Sequence, residues 1–516
     1  MSAFGWKLKG DGRTIPPGEV VAPGERLSWP RTIGLGAQHV VAMFGATFVF
    51  PIIMGLNPQY AVMMSGIATI MFMLIVNGKI PSYLGTSASF VGAVAAIRLQ
   101  GQGGSSDVQG LLDPSGAVTD KGKAALTANP NLLADAQLHD ATNITGAILI
   151  AGLILLAVGI IVHFAGGGVV SAVLPPAVTG AVVMLIGFNL APVVASAYWP
   201  KDQWVAVLTM VFVIVIAVVA KGFWGRVAIL LGLIFGSVLS WIWDLADGGS
   251  RIDFSSVSSA DWFGFPTNIM QHGTGADAQY IVGALAGPHL PTFNAAAILL
   301  VIPGVVALIA ENTGHVKAVA EMTGDNLDPY LGRGFIGDGW GTAVAGFIGA
   351  SPTTTYAENI GVMAATKVYS TAAYYVAALV AILFGFSPKF GALVSSIPPG
   401  VLGGITVILY GMIGLLGAKI WVENKVNFGA PQNLVPLSAG LIIGIGNVSI
   451  KFSDNFEISG IALGTIVVIV MYHVCRWFAP HLRREDGATG SALSVGDVVT
   501  EKGTESPWRD EEASNS

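Results

Sequence analysis

Apolar runs about one bilayer thick, separated by short polar turns, recur along the chain from residue 33 to residue 475. A helix needs roughly 17–25 mostly apolar residues to cross the hydrocarbon core. Runs of about that length fall at 33–54, 60–78, 143–164, 174–195, 203–220, 226–243, 294–313, 369–386, 397–418, 434–450 and 458–475. Three more segments, 81–97, 333–349 and 351–366, are less regular: apolar enough for membrane depth, yet rich in Gly, Ser, Thr or Pro. Together these predict fourteen crossings, with both termini on one side.

Charge placement supports that count. With fourteen spans, 18 of the 25 Lys and Arg fall on the side of the termini and 7 on the other. Basic residues are retained on the cytoplasmic side, so both termini are expected there, in a multi-pass protein of the cytoplasmic membrane. Removing one irregular segment would reverse every later loop and spoil the bias. Composition agrees: 53% of residues are hydrophobic and 11% charged, against about 25% charged in soluble domains. The 67 glycines suit helices that approach closely or break within the bilayer.

The remaining signals exclude more than they assign. The first thirty residues have no apolar core of a cleavable signal peptide. Cys475 is the single cysteine, so neither an internal disulfide nor a metal cluster is expected, and no cofactor or nucleic-acid partner is implied. Two loops on the outer side are long, 99–141 and 244–292, and read as solvated connectors; residues 477–516 read as a disordered tail.

Candidate chemistry sits where lipid-embedded chains rarely tolerate charge. Glu311 closes the apolar run 295–310, and Glu358 lies in the Thr-rich stretch 353–361. An intramembrane acid costs at least roughly 3 kcal/mol, so it usually faces a cavity, a partner or a solute. The third and tenth spans, Pro81–Phe90 and Ser351–Asn359, both open with small hydroxyl and β-branched residues and then turn helical. They stand seven spans apart, which predicts two repeats of seven spans in opposite orientation, with the site where the broken segments meet. Extended backbone at that depth must be paired or line a wet cavity, so the two pieces are expected to pair. The half-helices after them would aim N–H groups at a solute, and two carboxylates would accept its N–H donors. Burial favours the neutral form of an acid, which allows protonation to track binding.

Other polar positions are open to more than one use. His315, four residues after Glu311, shares its helix face and is a candidate for coupling. Asp338 can orient a site residue, take part in coupling or bond to backbone. Gln38 and His39 can reach the cavity or a neighbouring helix. Tyr356 and Phe90 can stack on a ring or simply pack.

Gln38-His39, Ala310-Glu-Asn-Thr-Gly-His315 and Glu358-Asn-Ile-Gly-Val-Met-Ala-Ala-Thr-Lys367 resemble the nucleobase-ascorbate transporter family, over about residues 32–478. The likeness is strongest to its uracil and pyrimidine permeases. The resemblance implies an all-α fold of fourteen segments in two inverted repeats, with short strands in spans 3 and 10. It divides the chain into an N-terminal segment (1–31), a core domain (32–164 and 293–390), a gate domain (170–243 and 395–476), the loop 244–292 and the tail. It implies a dimer through the gate. Residues matching Glu311 and Glu358 bind the base, those matching Ala357 and Ala88 add backbone contacts, and the one matching His315 assists coupling; Asn359 belongs to the same motif. Two departures stand out: Ala88 replaces a common Phe, leaving Phe90 to substitute, and Ala357 replaces a common Gly.

The sequence therefore predicts a secondary transporter that imports uracil or a related pyrimidine with protons, sodium being the other coupling ion to test. Alternatives are a purine (xanthine or uric acid) symporter and an anion carrier or channel of the same design. An enzyme is not expected, because no nucleophile and base stand at suitable spacing.

Overall fold

The computed structural model describes residues 5–16, 18–100, 111, 118–272, 281–453 and 456–482. Parts of both long loops, and the tail beyond 482, lie outside the described residues. The first half of the chain runs β1 (Lys7–Leu8), β2 (Glu25–Arg26), α1 (Trp29–Met54), α2 (Pro58–Ile75), β3 (Leu84–Thr86), a 3-10 turn (Ala88–Phe90), α3 (Val91–Gln100), α4 (Asp120–Ala128) and α5 (Leu132–Ala165). It continues through α6 (Gly168–Val173), α7 (Pro176–Phe188), α8 (Ala191–Val193), α9 (Gln203–Val219), α10 (Phe223–Arg226) and α11 (Ala228–Asp247). The second half holds α12 (Ser255–Ser259), β4 (Ile269–His272), β5 (Ile281–Leu285), α13 (Ala295–Thr323), α14 (Leu331–Phe347), β6 (Thr353–Thr355), α15 (Ala357–Thr366) and α16 (Thr371–Gly385). It ends with α17 (Pro388–Ser395), α18 (Pro399–Glu423), α19 (Pro431–Ile445), β7 (Ser449–Ser453), β8 (Phe456–Ser459) and α20 (Gly460–Leu482).

Local chemistry sets these limits. The first N–H groups of a helix have no partner within it, and short acceptors supply one. Asn57 accepts from Gln59 and Tyr60 at the start of α2, Asn294 from Ala296 and Ala297 at α13, and Asp202 from Val205 at α9. Gly55 ends α1 in the left-handed region at φ 72°, which suits a residue without Cβ.

Among the described residues, α1, α2, α5, α11, α13, α18 and α20 are long and apolar enough to cross a membrane alone. The helices α7, α9 and α19 are apolar but shorter, and α16 and α17 form a pair bent by 83°. Exposed apolar side chains such as Phe164, Val218 and Leu383 suit lipid rather than water.

Three readings of the apolar pattern are refined. The helix expected to end at 313 continues to Thr323, so Glu311 and His315 lie within it rather than at its end. The segment 333–349, less regular in its Gly-rich pattern, is the continuous helix α14. The helix expected from 143 begins at Leu132, taking in residues assigned to a loop. The loop 244–292 is also more than a connector. It carries α12 and the antiparallel β4–β5 pair, and Arg251 bonds Asp202, Asp244 and Asp247 at 2.8, 3.1 and 2.9 Å. Those bonds, Asp247's foremost, push the Arg251 pKa up still further.

The helices pack in two sets. In one, α2 lies on α16, α5 on α14, α1 on α16, α13 on α5, and α2 on α14. In the other, α7 and α9 lie on α18, α19 on α7 and α20, and α11 on α9. The two sets touch where α1 meets α11 and where α13 meets α7 and α20.

Candidate functional site

The first set surrounds a two-stranded antiparallel ribbon. β3 and β6 pair with Leu84 opposite Thr355, Gly85 opposite Thr354 and Thr86 opposite Thr353, as the extended pieces were expected to do. Ser87 N–H donates to Pro352 O at 2.8 Å and Tyr356 N–H to Tyr83 O at 2.9 Å, extending the ladder at both ends. Each strand still has an outer edge, and unpaired backbone is costly at membrane depth. Threonines on neighbouring helices satisfy it. Thr69 of α2 accepts from Leu84 N–H at 2.9 Å, and Thr342 of α14 accepts from Thr353 N–H at 3.2 Å while donating to Thr353 O at 2.8 Å. Sequence reading missed both, since a lone Thr in an apolar helix gives no signal.

From this ribbon the chain turns into two half-helices, with half-buried Ala88 opening one and exposed Ala357 opening the other. Glu358, the second residue of α15, lines a cavity of about 230 Å³ between α1, α9, α11 and α18, whose other walls are apolar, such as Ala42, Val213 and Leu409. That space is smaller than the roughly 300–1,000 Å³ of sites for drug-sized ligands, and suits one small ring. A carboxylate in the first turn of a helix also sits at the positive end of its dipole. Glu311 is half-buried on α13 and within electrostatic reach of Glu358 and Asp338. Like charges in one low-dielectric region repel, and an N–H donor shared between them relieves that. A second, larger cavity of about 320 Å³, walled by Phe44, Phe48, Leu233 and Phe390, has no titratable side chain.

Behind Glu311 runs a chain of polar side chains. Asn312 Nδ2 donates to Asp338, Thr355 Oγ1 donates to Asn312 Oδ1 at 2.7 Å, and His315 Nδ1 lies 2.7 Å from Thr355 Oγ1. The Thr355 proton is committed to Asn312, so His315 Nδ1–H must be the donor to Thr355. Asp338 and Asn312 are buried, Asp338 completely, whereas His315 is half-buried. Asn312 and Thr355 were not singled out in the sequence, yet they join two residues that were.

The remaining candidates hold the site rather than line its cavity. Asn359 donates to His39 O at 2.9 Å and approaches His39 Nδ1 at 3.2 Å, tying α15 to α1, and Tyr374 lies against the His39 ring at 4.4 Å. Of the two uses open to His39, the structure exhibits the helix contact; Gln38 beside it is half-buried. Phe90 is fully buried, and its ring packs over Gly304, where a Cβ would stand 3.2 Å from it. Tyr356 donates to Thr86 O at 2.7 Å, lies 3.1 Å from Thr47 Oγ1, and covers Gly85, where a Cβ would stand 2.4 Å from the ring. Of the two uses open to these rings, the structure exhibits packing.

Tyr356→Phe is therefore expected to leave Thr86 O without this donor and cost about 1–3 kcal/mol of stability. A thermal melt of the purified variant checks this. An unchanged melting temperature would mean that the ribbon does not need the phenol.

Residues 30–451 match a family described as "Permease family". The chain is 41% identical to "Putative pyrimidine permease RutG" of Escherichia coli (strain K12), over 91% of this chain and 95% of that one. It is 33% identical to the "Uracil permease" of Bacillus caldolyticus, over 85% of this chain and 90% of the relative. In structure it is similar to the murine "Solute Carrier 26 family member A9 (Slc26a9) anion transporter in the inward-facing state". That match has a TM-score of 0.56 and 13% identity, covering 87% of this chain and 69% of that one, and it speaks to the fold alone. A family match over most of the chain, two close permease relatives and paired acids beside a broken-helix ribbon lead to one conclusion: the chain belongs to the nucleobase-ascorbate transporter family of permeases and is a membrane transporter, not an enzyme.

Proposed function

We propose that this permease imports uracil or a related pyrimidine across the cytoplasmic membrane, coupled to protons. The observation that carries the reading is Glu358, an acid in the first turn of a half-helix, lining a small apolar-walled cavity within electrostatic reach of Glu311. Two carboxylates match the two N–H groups of a pyrimidine dione, and the permease names of the relatives point to the same solute. Ala88 and Ala357 would offer backbone N–H groups beside the base. His315, bonded through Thr355 and Asn312 toward Asp338, would respond to protonation near Glu311.

The transport cycle in this reading uses fourteen segments in two inverted repeats. Counting α1, α2, α3, α5, α7, α9 and α11 as one repeat, and α13, α14, α15, α16, α18, α19 and α20 as the other, gives seven each. Exchanging each segment for its counterpart turns the α2–α16 contact into α14–α5, α1–α16 into α13–α5, α9–α18 into α19–α7, and α9–α11 into α19–α20. Thr69 on α2 and Thr342 on α14 likewise serve equivalent strand residues. This self-consistency supports the repeat. The two packing sets would be the core and gate domains that move against each other, the protein would be a dimer through its gate, and the termini would be cytoplasmic.

Uptake of labelled uracil into vesicles tests the function. An imposed pH gradient is expected to drive accumulation, a sodium gradient alone is not, and excess unlabelled xanthine is expected to compete weakly. Accumulation of xanthine in place of uracil would replace the pyrimidine reading with a purine one.

A further inference from the structure

Residues ahead of α1 lie folded against the end of α15 farthest from Glu358. The half-helix stops at Lys367, which is left-handed at φ 56°, and the backbone beyond it is paired by the N-terminal segment. Val21 N–H donates to Lys367 O at 3.0 Å, and Tyr369 N–H donates to Val21 O at 2.8 Å, a parallel bridge across Val368. Thr371 donates to Pro23 O through its N–H at 3.1 Å and its hydroxyl at 2.9 Å. The hydroxyl oxygen in turn accepts from Trp6 Nε1 at 2.7 Å, while the Trp6 ring meets Tyr375 edge-on at 5.7 Å. Val21, Leu27 and Val368 are buried together beneath these bonds. Lys9 closes the segment on itself through Glu19 at 3.1 Å and Glu25 at 3.6 Å.

The segment leading into α13 is placed differently: it bridges Ala286 to Leu56 just past α1, and it reaches α3 only through Gln137 of α5. Ala284 N–H donates to Gln137 Oε1 at 2.9 Å, and that oxygen also accepts from Arg98 of α3 at 3.4 Å. Arg98 donates as well to Ile53 O at the end of α1, at 2.9 Å. The half-helix α15 is thus fixed at one end by the central ribbon and at the other by a lead-in segment. A helix of ten residues is too short to hold its direction from one end, because most helical stability comes from tertiary contacts.

We infer that the described residues from Trp6 to Ser28 are a strap that sets the direction of α15, and that Trp6, Val21 and Thr371 are positioning residues for Glu358. The inference rests on Glu358 being the solute ligand. With the strap in place, α15 enters the binding geometry already ordered; with it loosened, binding must bear the cost of ordering, which raises KM more than it lowers Vmax.

The test uses the full chain in vesicles with labelled uracil, and the same protein in detergent for amide hydrogen exchange. Trp6→Phe keeps the ring and removes the N–H, Thr371→Ala removes the hydroxyl, and Val21→Pro removes the donor to Lys367. Each is expected to raise the uracil KM about three- to tenfold with Vmax changed less than about twofold. Exchange over 357–366 should quicken while α2 and α14 keep their protection. Thr371→Ser, which retains the hydroxyl, should match the parent chain. Unchanged exchange in Trp6→Phe and Val21→Pro would overturn the strap, and faster exchange with an unmoved KM would overturn the positioning role. A parent chain that takes up no uracil would instead remove the substrate reading, and the exchange data would still decide whether the strap exists.

Discussion

Replacing Glu358 with glutamine is expected to cut uracil uptake by about ten- to a hundredfold while leaving the protein folded. The exchange conserves volume, so the cavity between α1, α9, α11 and α18 keeps its shape. Its hydrogen-bonding character changes, however: a carboxylate only accepts, whereas an amide presents one acceptor and one NH₂ donor. A base that offers N–H groups to this side chain loses a charge-assisted bond worth roughly 1.5–3 kcal/mol, which accounts for the fold-change. The variant also loses the favourable meeting of a negative charge with the first turn of α15, about 0.3–1 kcal/mol. Neither loss touches the β3–β6 ribbon, which is held by backbone bonds and by Thr69 and Thr342. Uptake kinetics paired with a thermal melt therefore separate the site from the scaffold. Normal uptake by a well-folded Glu358→Gln protein would remove this residue from the site.

Much of this arrangement was legible because the bilayer makes exceptions conspicuous. An acid in an apolar run, or a Ser/Thr-rich break in one, has few explanations at that depth, so Glu311, Glu358 and the pairing of the third and tenth segments could be read directly. Features that cost nothing in sequence terms were hidden. Thr69 and Thr342 are ordinary residues in apolar helices, and only the unpaired strand edges beside them reveal their use. The Trp6–Leu27 segment read as polar lead-in, because strands of two residues and a single bridge at Val21 carry no periodicity. Phe90 and Tyr356 read equally as stacking or packing rings, because an aromatic near a site suits both, and in the structure their rings fill space above Gly304 and Gly85. The glycines of α14 were hidden as well. They make the segment 333–349 irregular in its apolar pattern, whereas they form the surface on which another helix lies.

That surface carries the largest expected effect on stability. Gly332, Gly339 and Gly346 recur every seven residues along α14 and face α5, which contributes Gly152 and Gly159. A Cβ at Gly339 would stand 2.4 Å from Leu156 N and 2.8 Å from Gly152 O; one at Gly332 would stand 2.5 Å from His163 N, and one at Gly346 2.5 Å from Leu149 N. The obstructing atoms are backbone, so no rotamer change relieves the clash and the helices must separate, losing close contact along their length. Gly411 on α18 is the matching control, a helical glycine with nothing within 4 Å of the Cβ position. Alanine favours a helix over glycine by about 1 kcal/mol at either site. Gly411→Ala is therefore expected to hold or slightly raise the melting temperature. Gly339→Ala is expected to lose about 1–3 kcal/mol or more to overpacking, with a lower melting temperature and less monodisperse protein on gel filtration. Equal melting temperatures for the two variants would mean that α14 and α5 can part without cost. In that case the contact would be looser than its backbone spacing implies, and the core set of helices would not be the rigid support that the Glu358 cavity requires.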